Sequence, residues 1–287
     1  METVIELALA GRESGDSKVA RTLDVAPDRL AALNVSDWAI FRQGFAALLC
    51  KDVWQSGDQD DIRSAMTALL CNDNERQDQP AVFQAAKCFS FSLPGFEEDA
   101  YFAGFSDQET TPAVIESAIP ILQATSEWEW ISRFTGALIE IGPPGELHLS
   151  YSLLTVPGTI FSQGFETHEI AAETLVHEAA HSTFNLALEG IDQGLEKIHA
   201  LKDGYYSPWK RTDRPAFGLL HAMFAFGRVE AHKRAAASPI ERSSDHDGME
   251  FLLAAKPSVD RILERLEIAQ LESVFDELYA DLEITGK

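Results

Sequence analysis

The sequence predicts a mainly α fold with a small antiparallel β-sheet, an α+β arrangement whose helical core carries an H-E-x-x-H helix. Three observations predict it. Apolar residues recur at helical spacing over most of the chain. The spacing changes to strand-like alternation only between Gly136 and Phe161. One stretch free of Pro and Gly, Glu169 to Glu189, contains His177-Glu178-Ala179-Ala180-His181.

Taken in order, the polar start to about Pro27 is partly helical. Asn34 or Ser36 then caps a helix carrying Trp38, Ile40, Phe41, Phe45, Leu48 and Leu49. Helical spacing returns from Asp60 to Cys71, ahead of the turn-prone Asn72-Asp73-Asn74, and again from Gln79 to Phe89 behind Pro80. Thr111-Pro112 opens a helix through Ile115, Ile119 and Ile121, in which Pro120 predicts a kink. Trp128, Trp130 and Phe134 read as core packing. The alternating runs 137–141 and 146–151, joined by Gly142-Pro143-Pro144-Gly145, predict a hairpin, with a third extended piece near Thr159 to Ser162. Gly190 and Gly194 end the motif helix, and a polar loop leads to Tyr205-Tyr206-Ser207-Pro208-Trp209-Lys210-Arg211-Thr212-Asp213-Arg214-Pro215. Pro215 opens an apolar helix to about Ala237, and helical spacing from Asp247 to Leu282 completes a scaffold. The expected organisation is a helical region 1–135 followed by a region 136–287 holding the hairpin and the motif helix, the two forming one compact unit.

At 287 residues the chain can bury a substantial core. Its formal charge of −23 argues against binding a phosphate backbone, which takes dense Lys and Arg, and favours cationic over anionic macromolecules. Cys50, Cys71 and Cys88 have no metal-like spacing and read as reduced thiols. The start lacks a basic segment followed by a long apolar run, and no segment approaches ~20 apolar residues, so a cytoplasmic, non-membrane protein is expected; the oligomeric state is left open.

Residues four apart on a helix share a face, so the imidazoles of His177 and His181 can reach one metal ion. Zinc is the usual ion of such a motif, with Glu178 activating water in a metallopeptidase. The downstream residues give that reading little support. The extended metzincin pattern would need Gly and His where Phe184 and Ala187 stand, and a glutamate about twenty residues past the second His would fall near Leu201, with Glu196 nearby but unpatterned. His221, about two turns inside an apolar helix, is the leading third ligand; Glu230, His232 and His199 are alternatives.

The motif helix followed by YYSPWKRTDRPAFGLLHAMFAF resembles the HExxH-motif peptide-modification family of RiPP biosynthesis, closely from Glu169 to Arg228 and loosely in the N-terminal half. Members of that family are iron(II)- and 2-oxoglutarate-dependent dioxygenases that β-hydroxylate a residue of a ribosomally synthesised precursor peptide. The resemblance implies iron at His177, His181 and a third ligand placed at His221. It also implies a basic side chain for the far carboxylate of 2-oxoglutarate. Arg214 is the first choice, because a guanidinium pairs with a carboxylate through two hydrogen bonds; Arg211 is second, with Tyr206, Ser207 and Thr212 as donors. Glu178 then orients a ligand or contacts the peptide, and Glu178 or Glu230 could replace His221 to complete a two-histidine, one-carboxylate set. Zinc with peptide hydrolysis is the alternative, and a catalytically silent peptide-binding scaffold is a third.

Overall fold

A computed structural model of the chain describes residues 1–49, 66, 70, 111–142, 148–236 and 248–284. The helical stretches expected over 60–71 and 79–89 lie essentially outside them. The architecture is mainly helical with a small mixed sheet, as the periodicity predicts. In chain order the elements are α1 (Glu2–Leu23), α2 (Pro27–Ala31), α3 (Val35–Leu49), α4 (Thr111–Ala124), α5 (Glu127–Phe134), β1 (Ala137–Gly142), β2 (Ser150–Ser152), β3 (Thr159–Gln163) and α6 (His168–Gly190), followed by α7 (Gly194–Ala200), β4 (Tyr205–Ser207), β5 (Thr212–Arg214), α8 (Ala216–Ala235), α9 (Gly248–Leu266) and α10 (Ala269–Asp281). Among the described residues no helix is long and apolar enough to cross a membrane.

By its internal contacts the chain divides into two units, Gly15–Ser182 and Met1–Ser14 with Thr183–Lys287. The sequence-based boundary at 135/136 falls inside the first of these. Helices α1 and α6 contribute residues to both.

In the unit Gly15–Ser182, Asn34 caps α3 as expected, its Oδ1 accepting the Asp37 backbone N–H at 2.9 Å. The helix packs against the sheet through Gln43, whose Nε2 donates to Thr159 Oγ1 at 2.9 Å. Trp38 is fully buried, and its indole N–H donates to Asp16 at 2.9 Å while Arg42 pairs with the same carboxylate at 3.3 Å. The buried charge is thereby matched. Gly158, at φ +81°, sits against the Trp38 ring, where a Cβ would lie 2.5 Å from the ring edge. Trp130 and Phe134 are core residues as expected, and α4 runs through Pro120 to Ala124 without ending there.

The sheet corrects one expectation. Strands β1 and β2 do not form a hairpin: β3 lies between them, parallel to β1 (Leu138 beside Ile160) and antiparallel to β2 (Tyr151 beside Phe161). Phe161 is buried in the central strand and stacks on Tyr151 at 5.0 Å, and four of the five residues of β3 are buried, as suits a strand flanked on both sides. The expected turn at 143–145 falls outside the described residues.

In the unit of Met1–Ser14 with Thr183–Lys287, Phe184 stacks on Phe224 of α8 at 5.0 Å and meets Phe275 of α10 edge-on at 5.9 Å. Two positions differ from expectation. Gly194 does not close the motif helix but opens α7, and the loop 202–215 contains the β4–β5 hairpin. At the crossing of α1 and α6, a Cβ on Gly11 would lie 1.7 Å from the Leu186 carbonyl oxygen, and one on Gly190 would lie 2.2 Å from that of Leu7. The backbones touch there because neither residue has a side chain.

Ala normally stabilises a helix interior by ~0.5–1 kcal/mol over Gly. Gly11→Ala is expected to act with the opposite sign, costing about 1–3 kcal/mol as the crossing is forced apart. Thermal unfolding against wild type measures it.

Candidate metal centre

Helix α6 runs unbroken through the motif, and its rise brings His177 and His181 together on one face. Their rings meet edge to face at 4.7 Å between centroids, with Nε2 to Nε2 at 3.2 Å. Two nitrogens bound to one ion at ~2.1 Å each stand about 3.0–3.4 Å apart for bond angles of about 90–109°. The observed separation matches such a bite, and it is equally that of a hydrogen bond between one protonated and one bare nitrogen. Burial pushes His177 down to about 4, which keeps the imidazole neutral and its nitrogen available to a metal at ordinary pH.

Glu178 lies three residues before His181 and so is its neighbour on the helix surface. Its carboxyl is buried, with Oε1 accepting from Ser150 Oγ at 2.8 Å, while Oε2 has no hydrogen-bond partner of normal geometry among the described residues. Burial raises it to about 7, and the hydroxyls of Ser150 and Ser152 offset part of that rise. Ser182, one residue past the motif, accepts the Gly158 N–H at 2.9 Å and ties the helix to the start of β3.

His221, the proposed third ligand, sits on α8 with its ring between Phe217, at 4.2 Å, and Phe184, at 5.1 Å. Burial pushes it down to about 3. Among the described residues no three of His, Cys, Asp and Glu gather as a metal-binding trio. Of the expected ligand set, His177 and His181 are brought together on α6.

The residues proposed for 2-oxoglutarate are on the β4–β5 hairpin and separate by face. Tyr205 pairs with Arg214 and Ser207 with Thr212 on one face; Tyr206 pairs with Asp213 on the other. Tyr206 is exposed, Arg211 occupies the turn at φ +53°, and Ser207 is buried with no hydrogen-bond partner for its hydroxyl among the described residues. The Arg214 guanidinium lies along Gly218 and lines a cleft of about 410 Å³ with His199, Lys202 and Phe217. Of the weaker ligand candidates, His199 stacks on Phe217 at 5.2 Å, Glu230 lies against Gly248 and His232 is fully buried.

Sequence reasoning missed Ser150 and Ser152. The alternation in Leu149-Ser150-Tyr151-Ser152 does put both serines on one face of a strand. Which helix that face meets is a long-range matter. In comparisons with known proteins, no family model matches the chain and no curated protein matches it.

His232 supplies a test of the buried-histidine chemistry. Burial, with the charges of Lys233 and Arg228 adding to it, lowers it from 6.5 to about 4, so the native state binds fewer protons than the unfolded state between those values. Stability is therefore complete above about 6.5 and falls as the pH drops toward 4, by on the order of 3 kcal/mol. Urea unfolding across that range should show the slope, and His232→Gln should reduce it by roughly this amount, leaving the part that His177 and His221 contribute.

Proposed function

We propose that this chain is an iron(II)- and 2-oxoglutarate-dependent peptide β-hydroxylase acting on a ribosomally synthesised precursor peptide. The observation that carries the proposal is the convergence of the His177 and His181 imidazole nitrogens at 3.2 Å beside the buried carboxyl of Glu178, on a helix whose sequence, with the Tyr205–Phe226 segment, resembles that family. The donor set fits a borderline metal ion: imidazole nitrogens suit iron(II) and zinc alike.

Iron, 2-oxoglutarate and O2 supply the oxidising power for a C–H bond when bound. The chain's own residues do the rest. His177 and His181 would hold the ion through Nε2, with His221 as the assigned third donor. Arg214 would take the far carboxylate of 2-oxoglutarate, with Ser207 on the same face of the hairpin as a further hydrogen-bonding group, while Arg211 in the turn and Tyr206 on the opposite face would need a different approach. Glu178, held through one oxygen by Ser150, would use the other to orient a ligand or a peptide group.

A second reading, a zinc metallopeptidase, draws on the same carboxyl. An acid raised to about 7 is matched to taking a proton from water near neutrality. Glu178→Gln separates the two: a peptidase loses hydrolysis with metal retained, whereas the hydroxylase has no water to activate for attack.

The assay is mass spectrometry of the precursor peptide after incubation with and without iron(II) and 2-oxoglutarate. Gain of one oxygen with equimolar succinate is expected, and cleaved peptide would overturn the proposal. His177→Ala should abolish both iron uptake and succinate formation; unchanged turnover rejects the metal assignment.

A further inference from the structure

Strand β2 is bonded to β3 on one side, and among the described residues nothing pairs with its other edge. In an antiparallel pair, alternate residues send their main-chain groups to opposite sides. The Gln163 N–H donates to the Leu149 carbonyl at 2.9 Å, which sets the alternation: Leu149 and Tyr151 face β3. The N–H and C=O groups of Ser150 and Ser152 therefore point outward, and they make no hydrogen bond among the described residues. All three residues of β2 are half-buried.

A row of outward N–H and C=O groups is complementary to another extended main chain and to little else, since no side chain presents donors and acceptors in that alternation. Side chains stand perpendicular to the plane of these groups, and on one face Ser150 reaches Glu178 of α6. A strand added at the outer edge would direct alternate side chains to that same face, where the residues of the motif lie.

We propose that the outer edge of β2 is the docking site of the substrate, an extended peptide segment that adds to the sheet through the main chains of Ser150 and Ser152. This rests on the peptide-modifying reading for its substrate class, and it explains how one site could accept a peptide with little regard to its side chains. Side-chain selectivity would then fall to the alternate residues facing α6.

The test uses the metal-free full chain, so that its failure is distinct from failure of the oxygenase reading. The probe is a fluorescein-labelled peptide of about ten residues alternating Lys and Val, extended and cationic against an acidic chain. Fluorescence anisotropy should show saturable binding. Methylating alternate amide nitrogens in one register should weaken it roughly tenfold or more, and methylating the other register should leave it intact. Ser152→Pro, which removes an outward N–H without touching the β3 ladder, should weaken binding similarly, while Ser152→Ala should not. Absence of saturable binding below ~1 mM, equal tolerance of both methylation registers, or wild-type binding by a folded Ser152→Pro would each overturn the proposal.

Discussion

The contact between Ser150 and Glu178 holds together the features that matter most in this chain. Glu178 is a carboxyl taken out of water on a helix where two half-buried imidazoles are its neighbours, and a buried carboxyl without a donor is costly. The serine hydroxyl at 2.8 Å supplies one, and in doing so it brings the edge strand onto the face of α6 that carries the motif. Strand position and helix chemistry are thus coupled through one hydrogen bond.

The same economy governs the surrounding unit. The charge of Asp16 is matched by Arg42 and by the indole of Trp38, and Trp38 in turn packs on a glycine at the start of β3. The approach to β3 is therefore fixed at Gly158 by a ring, and one residue past the motif α6 holds the same glycine through Ser182. A central strand restrained in this way keeps β2 in register, which is what a main-chain docking edge requires.

On α8, His221 illustrates a different solution. It is packed between phenylalanine rings that favour its neutral form, so its basicity is suppressed by its surroundings and not by a charged partner. A neutral imidazole is the form that ligates metals, and it is equally the form that packs in an apolar core.

Local periodicity by itself determined the longer helices α3, α4, α6, α8, α9 and α10, a cap at Asn34 or Ser36, the opening of α8 behind Pro215 and the alignment of His177 with His181, because each depends on residues within a turn or two of one another. The short helices α2, α5 and α7 were not legible in it. The alternation of residues 149–152 was equally readable, down to the two serines sharing a face. Tertiary structure decided which strand lies at the centre of the sheet, which helix meets the serine face, and how the 205–214 segment sorts Arg214 from Tyr206. Those outcomes turn on pairings between segments distant in sequence, where apolar burial selects among partners that local propensity leaves equivalent. Phe161 lies at the centre of the sheet because β3 pairs with both β1 and β2, a choice that no local run of residues encodes, and the expected hairpin gave way to it.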